Sequence, residues 1–177
     1  NKLADGIYTI EKFLSEKECQ EFIAMTERVG YKPADVDMHG ERKMFTAIRN
    51  NERVDIESMS IAEQLWAKLS FLELPSVKNK VAWGLTPYLR FYRYQGEQKF
   101  NMHKDGSKEF NGNNTYYTML IYLNTLSQTG ATRFRESDLH IYPEAGQALI
   151  FKHDLWHAGM PVGDGVKYVL RGDVVCT

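Results

Sequence analysis

A His-x-Asp pair, His103 and Asp105, together with the distant His157, holds the side chains of this chain best suited to chemistry. On a β-strand, residues i and i+2 project from the same face, so His103 and Asp105 can grip one ion from one side. A third ligand from a later strand completes a facial triad of two imidazoles and one carboxylate. Such a triad leaves coordination positions open and suits non-haem Fe(II) and oxygen chemistry. His-x-Asp alone is a weak signal, and its weight comes from what lies downstream.

Ten residues past His157 stands Lys167, inside Val166-Lys167-Tyr168-Val169-Leu170-Arg171. Read as a strand, Lys167, Val169, Arg171 and Asp173 share one face, and Val166, Tyr168, Leu170, Gly172 and Val174 the other. The apolar face can pack on helices, so the polar face looks into a cavity or into water. A buried lysine needs an anion to offset its desolvation; a lysine on a solvated sheet face is the plainer alternative. Tyr94 shares a face with Tyr92 and Arg90, with Leu89, Phe91 and Arg93 opposite. Thr118 shares a face with Tyr116, Leu120 and Tyr122, where its hydroxyl is either a core group bonded to backbone or a ligand contact.

A rival metal pair is His153 and His157, four apart, which on a helix can both bind zinc. Their segment follows a strand-like run and precedes Gly159 and Pro161, which favours a turn, and no Glu follows His153. His153 is therefore read as a structural or loop residue. His39 and His140 have no evident partners and are read as surface or core histidines. Arg49, Arg90 and Arg171 can meet an acidic or carboxylate substrate, or pair with the chain's own Asp and Glu.

The elements that must position these groups fall into two textures. The first part is mixed. Ile7–Ile10 reads as a short strand, and Ser15-Glu16-Lys17-Glu18 fits a capping box followed by Cys19, Phe22 and Ile23 at helical spacing, with Gly30 as the stop. A second helix is expected over about Ile56–Leu69, with Ile61, Leu65 and Leu69 on one stripe. From Tyr88 the chain reads as short strands split by turns: Tyr88–Tyr94, Phe100–Asp105, Thr115–Leu123, Thr132–Phe134, His140–Tyr142, Ala148–Phe151, His157–Gly159 and Val166–Val175. The expected fold is mainly β with flanking helices: a double-sheet jelly roll over about residues 81–177, backed by N-terminal helices within about 1–80, in one domain. Ser107–Asn114, directly after the metal-ligand pair, is expected to be a mobile loop that can close over a substrate.

The chain has 177 residues, 43% hydrophobic and 25% charged, with a formal net charge of −1. That length suits one domain with a real core. The balanced charge favours neither nucleic acid nor an anionic membrane, and no apolar run approaches a membrane span. No signal-peptide pattern is expected, and because the chain begins at Asn1 rather than Met an upstream piece is allowed for. Cys19 and Cys176 lie at opposite ends, so no cysteine metal cluster is expected and a disulfide is left open. A reducing, cytoplasmic location is the default.

Taken together, the motifs resemble the Fe(II)/2-oxoglutarate-dependent dioxygenases, in particular the prolyl 4-hydroxylase-type catalytic domain. They are Arg90-Phe91-Tyr92-Arg93-Tyr94 with Gly96, His103-x-Asp105-Gly106, Thr118 to Asn124, Gly130-Ala131-Thr132-Arg133-Phe134, Pro143-x-x-Gly146-x-Ala148-Leu149-Ile150-Phe151, and His157-x-Gly159-x-Pro161-Val162-x-x-Gly165-x-Lys167-Tyr168. The resemblance is strong over roughly residues 88–175 and looser over the helical start. It implies a double-stranded β-helix core, His103, Asp105 and His157 as iron ligands, and Lys167 as the partner of the distal carboxylate of 2-oxoglutarate. Tyr94 and Thr118 match positions that help bind this cosubstrate. Gly130-Ala131-Thr132 departs from the family's frequent Gly-Glu-Thr at a residue that is not a ligand.

The implied reaction is hydroxylation of a C–H bond, with O2 as oxidant, succinate and CO2 as coproducts, and L-ascorbate keeping the iron reduced. A peptidyl proline or another protein side chain is the favoured substrate, by analogy. A small-molecule hydroxylase acting on a free amino acid or metabolite shares every motif. A cupin-like metal-binding module without turnover keeps the triad but has no need of Lys167.

Overall fold

The computed structural model of the chain describes residues 1–34 and 49–177. His39 lies outside the described residues. In chain order the elements are β1 (Lys2–Ala4), β2 (Ile7–Ile10), α1 (Glu16–Val29), β3 (Lys32–Pro33), β4 (Glu52–Glu57), α2 (Met59–Leu69), β5 (Ala82–Leu85), β6 (Tyr88–Gly96), β7 (Phe100–His103), β8 (Glu109–Phe110), β9 (Asn113–Tyr122), β10 (Thr132–Phe134), β11 (His140–Ile141), β12 (Ala148–Lys152), β13 (His157–Gly159) and β14 (Gly163–Cys176).

Two antiparallel sheets face each other. The larger runs β1-β2-β12-β9-β14-β6-β4-β3, with β5 on β14 and β8 on β9; the smaller runs β11-β10-β13-β7. This is the jelly roll expected from the strand-rich second half, with α1 and α2 against the outer face of the larger sheet. Residue alternation explains the layering. On β14, Leu170 and Val174 enter the cluster that holds Cys19, Leu65 and Leu69 of the helices. Val169, from the opposite face, joins Tyr92, Tyr94, Tyr122, Phe134 and Phe151 between the sheets. Burying one large apolar side chain contributes about 1.5–3 kcal/mol, so each face is specified by several such residues.

Helix α1 forms where its capping box stands: the Ser15 hydroxyl accepts from the Glu18 amide at 3.1 Å, and the Glu18 carboxylate accepts from the Ser15 amide at 2.8 Å. Gly30, at φ +93°, ends it. Helix α2 begins later than expected. Ser58 caps it by accepting from the Ile61 amide at 3.2 Å, and Ile56 lies on β4 instead. Val54 and Ile56 face the helix side at period two while Arg53, Asp55 and Glu57 alternate with them, which is a strand pattern. The first eighty residues are thus not only helical: β1 to β4 extend both edges of the larger sheet.

Ser107–Asn114 also differs from expectation. It is a hairpin, with Phe110 opposite Asn113 and a turn at Asn111 (φ +51°) and Gly112 (φ +75°). The Ser107 hydroxyl donates to the Thr115 carbonyl at 2.7 Å and the Lys108 amide to the Thr115 hydroxyl at 3.0 Å. These bonds tie the segment to β9. One further glycine is dictated by packing: at Gly146 (φ +84°) a Cβ would meet the Leu14 carbonyl oxygen at 2.1 Å.

Candidate active site

The triad assembles from the smaller sheet. His157 on β13 stands directly across from His103 on β7. Asp105 follows β7 rather than lying on it, and its amide donates to the His153 carbonyl at 2.9 Å. That bond is what aims the carboxylate: one oxygen lies 3.6 Å from His103 Nε2, the other 3.6 Å from His157 Nε2. The ligand atoms of the three residues all lie within 4.8 Å of one another.

Both imidazoles are set in the same tautomer. The Nδ1–H of His103 faces the Asn101 carbonyl at 2.6 Å, and that of His157 faces the Leu155 carbonyl at 2.9 Å. Each Nε2 lone pair is therefore free to ligate. Burial, with His103 adding to it, holds His157 down at about 4 against the pull of Asp105, so its ring is neutral at physiological pH. Two imidazoles with their Nε2 lone pairs free and one carboxylate fit Fe(II) as a donor set.

The larger sheet supplies the groups around that set. The Arg171 Nη1 donates to Asp105 Oδ1 at 3.0 Å, and the Thr118 hydroxyl donates to Asp105 Oδ2 at 2.6 Å. Arg171 also donates through Nη2 to Asp173 at 3.0 Å, and Asp173 receives the Lys108 ammonium at 2.9 Å. Burial opposes ionisation of Asp105, but Arg171, His103, His157 and Thr118 outweigh it and hold the carboxyl well below the ordinary range. Thr118 thus contacts the carboxylate rather than the backbone. Arg171, expected to meet a substrate or one of the chain's own acids, is committed to two carboxylates of the chain.

Lys167 lies on the pocket wall, 2% exposed. Its ammonium donates to the Gly130 carbonyl at 2.7 Å and sits 5.0 Å from the Tyr94 ring centroid and 5.7 Å from that of Tyr122. No carboxylate lies within 4.0 Å of it among the described residues, and burial pushes it down to about 7. An aromatic-walled cation without an anion fits one carboxylate of 2-oxoglutarate. Gly130 makes room for it: at φ +66°, a Cβ there would lie 3.3 Å from Lys167 Cδ. Tyr94 faces Lys167 in the β6–β14 register.

The structure therefore brings His103, Asp105, His157, Lys167, Tyr94 and Thr118 to one pocket. His153 stays out of it, buried with Nε2 3.6 Å from Asp173 Oδ1, and so does not pair with His157 on a helix. His140 is exposed on β11. The role of Asp173 was not visible in sequence; its place on the Lys167–Arg171 face was the one available signal.

Residues 89–172 match the family model of the 2OG-Fe(II) oxygenase superfamily. No curated protein sequence matches the chain. Among solved structures, it is similar to the viral collagen prolyl hydroxylase of Paramecium bursaria Chlorella virus-1 in its 2OG complex (TM-score 0.67, 20% identity, 98% of this chain and 99% of that one). It is similar also to a Pseudomonas putida prolyl-4-hydroxylase (0.66, 18%, 96% and 92%). A third is a Trichoplax adhaerens prolyl hydroxylase in complex with a hypoxia inducible factor peptide fragment (0.71, 17%, 97% and 84%). The matched segment, residues 89–172, contains the strands that hold the triad and the buried lysine; over that segment the chain is similar to the 2OG-Fe(II) oxygenase superfamily, which supports a 2-oxoglutarate-dependent dioxygenase.

Proposed function

We propose that this chain hydroxylates a C–H bond of a peptide or protein substrate, with prolyl 4-hydroxylation as the favoured case, and releases succinate and CO2. One observation carries the reading: a three-ligand site and a buried, anion-free Lys167 share one pocket. Fe(II) and 2-oxoglutarate, when bound, supply the oxidation of the C–H bond by O2.

The chain's own residues bind and orient. His103 and His157, from the smaller sheet, and Asp105, just past β7, would hold the iron. Arg171 and Thr118 engage one oxygen each of Asp105, which fixes the plane of the carboxylate. Lys167 takes the distal carboxylate of 2-oxoglutarate by a charge-assisted hydrogen bond. Tyr94 borders the same cosubstrate, and Thr118 serves it through the carboxylate that it orients. Tyr92, Tyr94, Leu120 and Val169 keep the pocket wall largely apolar.

A peptide substrate is supported by analogy with the peptide-bound Trichoplax enzyme. L-Ascorbate is the expected reductant for idle iron. No helix among the described residues is long and apolar enough to cross a membrane, and two buried free thiols, Cys19 and Cys176, fit a cytoplasmic location. The buried Lys167 argues against a metal-binding module without turnover, which has no use for it.

The test is incubation of the Fe(II)-loaded protein with 2-oxoglutarate, ascorbate and air, with a panel of proline-containing peptides analysed by mass spectrometry. The expected result is a gain of one oxygen atom on a prolyl residue, matched by succinate. Succinate formation stimulated by free amino acids, with no peptide oxidised, would replace the peptide substrate by a small molecule.

A further inference from the structure

Arg49, Arg90 and Arg171 lie near one another but are not equivalent. Arg171 is neutralised by Asp105 and Asp173. Arg49 and Arg90 have no carboxylate within 4.0 Å among the described residues. In the β4–β6 register Asp55 stands opposite Arg90, yet its ion pair is with Arg53, at 3.2 Å. Glu57, the other acid on that face, lies opposite Tyr88 at the far end.

Both guanidiniums are half-buried and held in place, Arg90 by a side-chain hydrogen bond with Tyr92. Arg49 pairs with Phe100 as an isolated bridge along the edge of β7, and the neighbouring Asn50 side chain accepts from the Lys99 amide at 2.9 Å. This pinning sets the Arg49 guanidinium over the Phe100 ring, 5.5 Å from its centroid. Phe100 is itself a wall of the active-site pocket. Arg90 sits two residues before Tyr92, another wall residue, on the same face of β6. The Tyr92 phenol senses these cations: burial acts to raise it, but Arg171, Arg90 and Arg49 outweigh burial and set it below the ordinary tyrosine value. Outward from Arg49 and Arg90 opens a groove of about 630 Å³, walled by Arg53, Asp55, Tyr88 and, at its far end, Glu57.

A cation pair of this kind, with no carboxylate within 4.0 Å among the described residues and placed at the mouth of a site, is ready for an anion, and the planar arginine fork suits a carboxylate. Resting on the dioxygenase reading above, we infer that Arg49 and Arg90 form a substrate subsite for a carboxylate, which anchors the substrate in the outer groove while its C–H bond reaches the pocket. The carboxylate belongs either to a small molecule or to an acidic side chain of a peptide.

The test uses the Mn(II)- and 2-oxoglutarate-loaded protein and two matched probe pairs. N-acetylproline against N-acetylprolinamide represents the small carboxylate. A blocked Gly-Pro-Glu-Gly peptide against its Gly-Pro-Gln-Gly twin represents the acidic side chain. Binding is read from Mn(II)-induced relaxation of the probe's proton signals. One acid of the two is expected to bind about tenfold tighter than its uncharged twin. That preference should vanish in Arg49→Gln and Arg90→Gln and be partly kept in Arg49→Lys and Arg90→Lys, with the uncharged twins unaffected throughout. The pair that shows the preference names the source of the carboxylate. Equal relaxation for acid and twin in both pairs, including none for any probe at millimolar concentration, overturns the inference, as does a preference that survives both glutamine variants. Binding of 2-oxoglutarate, measured in the same samples, reports separately on the cosubstrate site, so failure of the subsite and failure of the dioxygenase reading are told apart.

Discussion

The role proposed for Lys167, holding the distal carboxylate of 2-oxoglutarate, makes cosubstrate affinity depend on pH in a way that can be worked out. Its ammonium is buried, has one carbonyl partner, and is held down to about 7 by desolvation alone. A carboxylate arriving at Nζ favours the charged form, so 2-oxoglutarate binding is coupled to proton uptake. The apparent affinity scales with the fraction of lysine already charged, which is about nine-tenths at pH 6, about half at pH 7 and about one-hundredth at pH 9. Between pH 6 and 9 the dissociation constant should therefore rise roughly a hundredfold, or about 2.7 kcal/mol at about 1.36 kcal/mol per pH unit. Calorimetric titration of 2-oxoglutarate into the Mn(II)-loaded protein, in buffers of different ionisation enthalpy, measures both the affinity and the protons taken up. About half a proton is expected at pH 7 and about nine-tenths at pH 8. Lys167→Arg, charged throughout, should remove the slope. Affinity that stays flat from pH 6 to 9 in the unmodified protein, without proton uptake, would refute the reasoning.

Three further perturbations follow from the same network. Arg171→Met leaves Asp105 and Asp173 buried without their shared cation, and should cost about 3–5 kcal/mol in urea unfolding and weaken metal binding by about 10–100-fold. A variant as stable as the parent would show that Lys108 and the metal suffice. Gly130→Ala forces a Cβ into a left-handed backbone position against Lys167 and Leu126; a loss of about 1–3 kcal/mol, with weaker 2-oxoglutarate binding in calorimetry, is expected. Asp173 governs acid stability. Burial opposes its ionisation, but Arg171, His153 and Arg90 outweigh it, so its folded pKa lies below the ordinary 3.8. Its stabilisation is then fully present above that value and is lost as pH falls through it toward the folded pKa. The urea midpoint of Asp173→Asn should fall less steeply than that of the parent between pH 5 and 2.5, and parallel curves would assign acid sensitivity elsewhere.

Much of this site can be read from residue alternation. The split of Lys167, Val169 and Arg171 from Tyr168, Leu170 and Val174 is the split between the pocket and the helix-facing core, because a two-residue period admits no other arrangement once one face is apolar. The segments Thr132–Phe134 and His157–Gly159 were also legible, since turn residues bracket them. Other features depend on partners distant in sequence. Nothing in the neighbourhood of Arg171 says that its fork reaches Asp105, and nothing near Asp105 says that the His153 carbonyl will orient it past the end of β7. Helix α2 was read too early because Ile56 is apolar at a spacing that suits a helix as well as a strand; the Ser58 cap decides between them. The 107–114 segment reads as a loop around the turn signal Asn111-Gly112; that it pairs as a hairpin depends on the bonds to Thr115, which sequence does not show.

The most direct test of the central claim is succinate formation from 2-oxoglutarate under air by the Fe(II)-loaded protein, compared between the parent chain, His103→Ala and Lys167→Ala. Turnover by the parent, abolished in His103→Ala and restored at raised 2-oxoglutarate in Lys167→Ala, is the predicted pattern. No turnover by the parent, together with no 2-oxoglutarate binding to its anaerobic iron form, would contradict the account.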